Sequence, residues 1–345
     1  MRCLALAGEF RRRGAYVHFL CREHPGHLIA RAEAAGYQVA RLDSPPNSDV
    51  IEEDYSAWLG VSQEQDARDT LNRLQGVRLD WVVVDHYGLD ARWEGALRIA
   101  AAHVLVIDDL ADRQHNCDLL LDQSYLGGGT PCRYVGLLPA TCMSLLGPRF
   151  ALLQPEYAQL RDLFPPRDGN VRRVLVFFGG GDHSGDTLRV LEALSCAELE
   201  MLAIDVVVGQ RESEAVERQV ANRRGAVLYR GLACLAGLIA RADLAIGAGG
   251  STTWERACLG LPAVVATVSS NQVGISAALA EDGYQVLAGA SHELDAAAWR
   301  AALIEITSEP SRLATIARRA ATLTDGKGCE RVAEAVFGAH PSDRM

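Results

Sequence analysis

The chain has 345 residues, 49% of them hydrophobic, which is long enough for two ordinary domains with buried cores. Its formal net charge of −10 argues against binding to nucleic acid or to an anionic membrane, because either partner requires a basic face. Only one of the 34 basic residues is a lysine, Lys327, which nearly excludes a Walker-type loop, a Schiff base and a lysine general base. Phosphate recognition is therefore expected from backbone amides, hydroxyl groups and arginine.

Cysteine usage and hydropathy predict a cytoplasmic protein without a metal site. The nine cysteines are scattered and never spaced as CxxC, as expected of reduced thiols. His24 and His27 stand three residues apart, but no nearby set of Cys, Asp or Glu completes a metal shell. No apolar run approaches the roughly 18 residues of a membrane helix, and the N-terminus lacks the flanks of a signal peptide.

The chain opens on a helical pattern. Apolar residues between positions 3 and 10 keep helical spacing, and Gly14 ends the pattern before a strand predicted at 16–20. A doubly wound domain normally enters such a helix from a strand and a glycine-rich turn, and neither stands ahead of Met1. Either the fold begins with a helix, or its first strand is missing from this sequence.

Short apolar strands then alternate with helical patterns, which is typical of parallel α/β layers. Strands are predicted at 16–20, 39–42, 81–84, 104–107 and 119–121, and again at 173–178, 204–208, 227–229, 244–246 and 263–266. The proline-containing stretch 147–170 separates the two series. We therefore predict two Rossmann-like α/β domains facing each other across a cleft, at 1–146 and 171–345.

Polar residues that follow parallel strands are candidates for function, because ligands bind beyond the carboxyl ends of such strands. Asp85, His86 and Tyr87 follow the 81–84 strand, where they would serve acid/base chemistry or sugar binding. The alternative is that Asp85 or Asp90 caps a helix and His86 satisfies a buried backbone group. For residues 108–113 we favour capping or structural ion pairs.

A second candidate follows the 244–246 strand. There the chain passes through small residues into a helix, which leaves backbone N–H groups aimed at one point, suited to a pyrophosphate. Glu255 falls in the first helical turn, where its carboxylate would accept hydrogen bonds from a sugar diol. An ordinary capped helix is the alternative. The candidate residues are Gly250, Ser251, Thr252, Thr253 and Glu255.

Two further segments end strands of the second half. Gly180 and Gly181 belong to a glycine run that would allow backbone to approach a ligand closely, although it could equally be a flexible turn. Asn271 and Gln272 follow the 263–266 strand, where their amides would contact a base or a sugar. Helix capping is the alternative there.

These residues resemble one enzyme family, the UDP-2,4-diacetamido-2,4,6-trideoxy-β-L-altropyranose hydrolases of pseudaminic acid biosynthesis. The resemblance extends over nearly the whole chain, and so many motifs in one order make it specific. The motifs are MRCLALA at 1–7, VDHY at 84–87 with Leu89-Asp90, IDDLADR at 107–113, GPRFALL at 147–153, FGG at 178–180, GSTTWER at 250–256, and Asn271-Gln272.

The resemblance implies a MurG-like GT-B fold with a nucleotide-sugar in the cleft. It implies that the segment from Ser251 to Glu255 holds UDP, with Asn271-Gln272 beside the nucleotide or sugar. Asp85-His86-Tyr87 would line the sugar side. Water would attack the anomeric carbon and release UDP with inversion, without a metal or other cofactor, so the expected partner is a small-molecule UDP-sugar.

The sequence departs from the family at two places. The family's base belongs to a Gly-x-Gly-His-x-x-Arg motif, whose last residue matches Arg2, so the histidine would precede Met1. At Gln154 the family more often has arginine, which puts a phosphate contact there in doubt. A glycosyltransferase of the same fold and a UDP-sugar-binding protein without catalysis are therefore the alternatives, and the oligomeric state stays open.

Overall fold

A computed structural model describes residues 1–44, 55, 57–127, 133–179, 185–209 and 214–338. The chain divides into two compact units. The first unit comprises Met1–Ser124, Gly129–Leu152 and Cys329–Met345, and the second comprises Tyr125–Gly128 and Leu153–Gly328. The chain thus passes between the units more than once, whereas the sequence predicted a single connection at 147–170.

The first unit alternates helices and parallel strands. It begins with helix α1 (Arg2–Arg12), as predicted, and continues with β1 (His18–Arg22), α2 (Ile29–Ala34), β2 (Gln38–Leu42), α3 (Gln63–Leu74), β3 (Leu79–Val84), α4 (Ala91–Leu97), β4 (Ala101–Ile107), β5 (Leu119–Asp122) and β6 (Met143–Leu146). The strands form a four-stranded sheet in the order β3-β4-β5-β6 and a two-stranded sheet of β1 and β2.

The four-stranded sheet is covered on both faces, which is why its strands are almost continuously apolar. Leu105 and Leu119 pack on one face with Leu6 of α1, whereas Val104 packs on the other face with Trp93 of α4. Side chains alternate between the two faces, as the period of two in a strand requires. Among the described residues, β1 pairs only with β2 and β3 pairs only with β4.

The second unit contains the remaining helices and strands until near the end of the chain. In order they are α5 (Pro155–Arg161), β7 (Arg173–Phe177), α6 (Asp186–Ala193), β8 (Ala203–Val208), α7 (Glu214–Ala221), β9 (Ala226–Arg230), α8 (Ala236–Arg241), β10 (Leu244–Ala248), α9 (Thr252–Cys258), β11 (Ala263–Thr267), α10 (Ser270–Glu281), β12 (Val286–Ala290), α11 (Ala296–Thr307) and α12 (Pro310–Ala320). The strands form one parallel sheet in the order β12-β11-β10-β7-β8-β9.

The last helix, α13 (Gly328–Gly338), packs in the first unit. Val332 and Val336 join the core around Leu6 and Phe10 of α1, and the rings of Phe10 and Phe337 meet edge to face at 5.8 Å. The sequence-based division placed this helix in the second domain. That assignment is wrong for α13, because an apolar helix face does not reveal which sheet covers it.

All ten strands predicted from the sequence occur, with ends that differ by a few residues. Two strands were missed, β6 and β12. Strand β6 has only four residues, and β12 carries Gly289 at φ 142° beside a register shift in its pairing with β11. A strand of four residues and a strand interrupted by a glycine both give a weak apolar pattern in the sequence. No helix among the described residues is long and apolar enough to span a membrane.

Candidate functional site

The turn from β10 into α9 lies at the switch point of the second sheet. From β7 the chain proceeds to β8 and β9 on one side, whereas β10, β11 and β12 follow on the other side. Ligands of open α/β sheets bind beyond the strand ends at such a point. Gly247 allows the close approach of β10 to β7, since a Cβ there would lie 2.1 Å from the carbonyl oxygen of Phe177.

Two glycines bring helix α10 against this turn. A Cβ on Gly249 would lie 2.1 Å from Oγ of Ser276, which is fully buried in α10. A Cβ on Gly250 would lie 3.7 Å from Nε2 of Gln272. The structure therefore brings Gly250 and Gln272 together, as the shared site predicted from the sequence requires.

The start of α10 is organised by its own side chains. Gln272 accepts a hydrogen bond at Oε1 from the Val268 N–H at 3.1 Å, which leaves its Nε2 directed towards the Gly249-Gly250 turn. Ser269 donates its hydroxyl to Oδ1 of Asn271 at 2.6 Å. No side-chain hydrogen bond of Ser269 caps the helix. Capping therefore accounts for Oε1 of Gln272, which accepts a backbone N–H at the start of the helix, but not for its Nε2, which faces the turn.

Glu255 is the most unusual group of this site. Its Oε2 and the hydroxyl of Tyr157 are both buried, lie close enough to shift each other's pKa, and make no well-aligned hydrogen bond to any described residue. Burial raises the pKa of Glu255, and burial together with the nearby carboxylate raises the pKa of the Tyr157 phenol. A buried carboxylate oxygen without a donor is costly, so the arrangement favours a ligand that supplies one.

Arg256 holds the turn from inside the protein. Its guanidinium, which is almost fully buried, donates to Oγ1 of Thr252 at 3.1 Å and to Oγ1 of Thr253 at 3.0 Å. It also donates to the carbonyl of Ala248 at 3.2 Å. Burial lowers the pKa of Arg256 to about 10. Both threonine oxygens thus accept from Arg256 and position the backbone, while Ser251 is exposed at the surface of the turn.

The glycine run after β7 is only partly described. Gly179 follows the strand with φ 113°, a conformation that L side chains rarely adopt. Gly180 and Gly181 lie outside the described residues. Gly179 still places the start of this run at the end of β7, the strand that neighbours β10.

In the first unit, Asp85 forms part of an ion-pair cluster at the ends of β3 and β4. Arg2 lies 2.6 Å from Oδ1 of Asp85 and 3.3 Å from Oδ2 of Asp109, and the Cys3 thiol donates to Asp85 at 2.9 Å. Burial opposes ionisation of Asp85, but the Arg2 guanidinium outweighs it and lowers the pKa of that carboxyl. Asp85 is therefore ionised and paired, which makes it a weak base.

His86 and Tyr87 are also committed to partners. Nδ1 of His86 accepts the Gly88 N–H at 3.0 Å, and burial lowers the pKa of its ring. The proton of the neutral imidazole is thus on Nε2, which makes that atom a donor. Tyr87 donates its hydroxyl to Oδ1 of Asp109 at 2.6 Å. The three residues predicted as catalytic suit binding and orientation better than proton abstraction.

Aromatic side chains form one wall beside this cluster. The rings of Tyr55 and Tyr87 lie 4.9 Å apart, and that of Trp58 lies 5.0 Å from Tyr55. Gly88 lets the segment approach, because a Cβ there would lie 2.7 Å from the Tyr55 carbonyl oxygen. Nε1 of Trp58 is buried and has no hydrogen-bond partner in the described part of the chain. Such a wall suits the apolar face of a sugar ring.

The sequence favoured capping or a structural ion pair for Asp109, and the structure shows the ion pair with Arg2 together with the contact to Tyr87. The signal for this contact was the place of Asp109 directly after β4, the strand that pairs with β3. Asp90, by contrast, does cap α4, where its side chain accepts the Arg92 N–H. Among the described residues no group of three or more His, Cys, Asp or Glu side chains could hold a metal ion. His24 and His27 belong to no such group.

Comparison with curated proteins gives two distant relatives, and no family model matches the chain. The chain is 23% identical over 226 residues to an uncharacterised protein of Methanocaldococcus jannaschii, covering 64% of this chain and 46% of that protein. It is 27% identical over 191 residues to the spore coat polysaccharide biosynthesis protein SpsG of Bacillus subtilis, covering 54% of this chain and 56% of that protein. The chain thus spans about half the length of the curated relatives it matches.

Solved structures match over nearly the whole chain. MurG of Acinetobacter baumannii superposes with a TM-score of 0.63 at 14% identity, covering 98% of this chain and 95% of that one. The UDP-GlcNAc 2-epimerase of Neisseria meningitidis, bound to UDP-GlcNAc, gives 0.61 at 12% identity, covering 98% and 96%. The calicheamicin glycosyltransferase CalG4 gives 0.63 at 15%, covering 99% and 96%. The chain has the two-domain α/β GT-B fold of these enzymes.

Proposed function

We propose that this protein is a nucleotide-sugar hydrolase that releases UDP from UDP-2,4-diacetamido-2,4,6-trideoxy-β-L-altropyranose, in pseudaminic acid biosynthesis. The observation that carries the proposal is the Glu255 carboxylate in the first turn of α9, at the switch point of the second sheet, whose buried Oε2 has no well-aligned hydrogen bond among the described residues. A ribose diol supplies the hydroxyl donors that this oxygen lacks. The sugar itself is taken from the family resemblance of the sequence.

The comparisons support nucleotide-sugar chemistry at a coarser level. The epimerase structure holds UDP-GlcNAc, and SpsG is named for polysaccharide biosynthesis. In the proposed complex, backbone around Gly250 and the side chain of Gln272 contact the diphosphate or sugar, and Glu255 accepts from the ribose. Asp85, His86 and Tyr87 contact the sugar that hydrolysis releases.

The proposed reaction breaks the bond between the anomeric carbon and the phosphate oxygen of UDP. The oxygen of water forms the new bond to that carbon on the opposite face, UDP departs with the electron pair, and a base takes one proton from the water. Negative charge develops on the phosphate oxygen that leaves the anomeric carbon. Hydrogen-bond donors that stabilise the departing diphosphate therefore lower the barrier. A general base typically raises the reaction rate by a factor of about 10²–10⁴.

The described residues of the strand-end cluster offer no unengaged base. Asp85 is paired with Arg2, Nδ1 of His86 is occupied, and the hydroxyl of Tyr87 is held by Asp109. The resemblance implies that the base is the histidine of a Gly-x-Gly-His-x-x-Arg motif, of which this sequence contains the match to the arginine, Arg2. This assignment rests on the resemblance alone.

Calorimetric titration with UDP tests the nucleotide site. Glu255→Ala is expected to weaken UDP binding by about 1–3 kcal/mol, the usual range for a lost hydrogen-bond partner of a charged group. Glu281→Ala, an exposed glutamate at the end of α10, is the matched control and should leave affinity unchanged. Equal affinity in the wild type and Glu255→Ala would remove Glu255 from the nucleotide site.

Hydrolysis in ¹⁸O-labelled water tests the reaction. Attack at the anomeric carbon places the label in the released sugar, whereas attack at phosphorus places it in the nucleotide product. Mass spectrometry of both products distinguishes them. Label in the nucleotide alone would overturn the proposed mechanism.

A glycosyltransferase that uses a UDP-sugar donor is the second candidate, favoured by the likeness to MurG and CalG4. It would transfer the sugar to an acceptor hydroxyl in place of water. Product analysis over time with and without acceptor alcohols separates the two activities. UDP-sugar binding without any turnover would indicate a binding protein.

A further inference from the structure

A buried charge cluster lies beneath the strand-end residues of the first unit. His115 is fully buried, with Nδ1 2.7 Å from Oε1 of Glu94 and Nε2 3.9 Å from Oδ2 of Asp108. Both carboxylates are also fully buried. His115 is thus hydrogen-bonded at Nδ1 to Glu94, whereas the longer approach of Nε2 to Asp108 is an electrostatic contact without a hydrogen bond.

The carboxylates around His115 favour a proton on its ring. Arg113 lies 2.9 Å from Oδ1 of Asp108 and supplies one positive charge against Glu94 and Asp108. Asp122, from the end of β5, is paired separately with Arg133 at 2.9 Å. Arg113 also lies 2.8 Å from Oδ1 of Asp112, so a positive charge on His115 is needed to offset the remaining negative charge of Glu94 and Asp108. An uncompensated buried carboxylate is costly, so this geometry favours the imidazolium.

The same cluster holds the loop that carries Asp109. Oδ2 of Asp108 accepts the N–H of Ala111 at 2.9 Å, and Ala111 is held at φ 53°, an uncommon conformation for a residue with a side chain. Arg133 donates to the carbonyls of Asp109 and Leu110, both at 2.9 Å. The loop's backbone is therefore held by the side chains of Asp108 and Arg133, while the Asp109 side chain contacts Tyr87 and Arg2.

We propose that His115 is a positioning residue: as a buried imidazolium between Glu94 and Asp108, it holds the loop 108–113 so that Asp109 reaches Tyr87. The functional part of this inference rests on the proposed function, because it takes the Asp109-Tyr87 contact as part of the sugar site. The structural part, the charged ring and the anchored loop, stands independently.

The protonation behaviour agrees with this arrangement. Burial acts to lower the pKa of His115, but Asp108 and Glu94 outweigh it and raise that pKa to about 9. In return, the pKa of Asp108 is held well below its usual range by His115 and Arg113, against its burial. The other titratable groups near the cluster are Asp112, which pairs with Arg113, the Tyr134 phenol, which donates to Asp108, Asp122 with its partner Arg133, and the thiols of Cys117 and Cys142.

The sign of the pH dependence follows from the raised pKa. The folded state binds the His115 proton more tightly than the unfolded state, whose histidine pKa is about 6.5. The stabilisation is therefore complete below about pH 6.5 and is lost as the pH rises through about 9. Denaturant unfolding of the wild type at pH 6, 7.5 and 9 should show stability falling over this window.

Three variants separate charge from packing. His115→Gln, which cannot be charged, should remove this pH dependence. Glu94→Gln should shift the loss of stability to lower pH, because one of the two carboxylates that raise the pKa of His115 is gone. His18→Gln, an exposed histidine of β1, is the matched control and should keep the wild-type profile. Identical pH profiles in the wild type and His115→Gln would overturn the charged state.

Hydrogen exchange tests the positioning role without any substrate. Amides of the loop 108–113 should exchange at least tenfold faster in His115→Gln than in wild type, while those of the second unit stay unchanged. Unchanged exchange of the loop would overturn the positioning role. If His115→Gln fails to fold, nitrogen-15 spectra of wild-type histidines provide the test: one ring must carry protons on both nitrogens at pH 7.5, and its absence overturns the proposal.

Activity then tests the functional part. His115→Gln should reduce kcat for the UDP-sugar at least tenfold, since small displacements of site groups are amplified in rate, and should leave UDP affinity unchanged. If the wild type shows no hydrolysis, the proposed function fails while the exchange and pH tests still judge His115. Normal kcat together with faster loop exchange would overturn only the link between Asp109 and the site.

Discussion

Tyr87 illustrates how single side chains join separate strands in this protein. It follows β3, yet its hydroxyl binds Asp109 after β4, and Arg2 from α1 bridges Asp109 to Asp85. Each of these groups is held by at least one charged or hydrogen-bonded neighbour. The cluster is thus preorganised, which suits the orientation of a sugar more than the capture of a proton.

Replacement of Tyr87 tests the role of this cluster. Tyr87→Phe keeps the ring but removes the donor to Asp109, so we expect kcat for the UDP-sugar to fall about tenfold or more, the size of one lost charge-assisted hydrogen bond. UDP affinity should stay nearly constant in calorimetry. Tyr16→Phe, which alters an exposed ring of the same unit, is the control.

A parallel loss of UDP affinity in Tyr87→Phe would contradict our assignment of the sugar and the nucleotide to different domains. The same pair of measurements on His86→Asn checks whether His86 contacts the sugar. His86→Asn should also impair hydrolysis and spare UDP binding.

At the scale of elements, the nucleotide site depends on how closely α10 approaches the β10–α9 turn. That approach is possible because Gly249 has no side chain and Ser276 fills the space. The helix then brings Gln272 beside Gly250. The glycines of the turn therefore act through the packing of two elements as well as through backbone freedom.

Gly249→Ala tests this packing. Its Cβ would lie 2.1 Å from Oγ of Ser276, so the variant should lose about 1–3 kcal/mol of unfolding free energy, the usual range for overpacking a core. Ser276→Ala removes the clashing oxygen and leaves Cβ atoms 3.5 Å apart. The double variant should regain most of the stability and the UDP affinity, as measured by denaturant unfolding and calorimetry.

Gly237→Ala is the control for this experiment. Gly237 lies in α8, and no atom lies within 4 Å of the position its Cβ would take. Alanine is favoured over glycine in a helix, so this variant should be neutral or slightly stabilised. If Gly249→Ala behaves like Gly237→Ala, the tight packing of α10 on the turn is not a requirement of the fold.

At the scale of the whole molecule, the two units differ in how their strands are arranged. The second unit has one continuous six-stranded sheet, whereas the first has a two-stranded and a four-stranded sheet. Strands β1 and β3 each have one edge without a ladder partner among the described residues. Their side chains are more exposed than those of β5, which is buried throughout. The expectation of a further strand ahead of α1 stays a prediction, and these edges are where such a strand would pair.

Addition of the in-frame upstream segment tests that expectation. A parallel strand between β1 and β3 would satisfy two open edges, so the extended protein should unfold at a higher temperature and remain soluble at higher concentration. If the segment carries the Gly-x-Gly-His motif, hydrolysis should rise by about 10²–10⁴-fold. Equal turnover with and without the segment would show that the base lies downstream of Met1, with His86 the first candidate.

The sequence by itself determined the fold class, the positions of ten strands and the segments that end them. Those features depend on apolar periodicity and on glycine, serine and threonine within a few residues, which is local information. It also identified Asp85, Tyr87, Glu255 and Gln272 as strand-end candidates. The sequence did not show which residues these side chains contact.

The tertiary structure decided the contacts between distant residues. Arg2 meets Asp85 and Asp109 at separations of 83 and 107 residues along the chain, and α13 joins the unit that contains α1. The sequence alone does not distinguish a carboxylate that caps a helix from one that pairs with arginine or one that stays buried without a well-aligned donor. Its role is set by burial and by the charges around it, which arise only when the strands and helices pack.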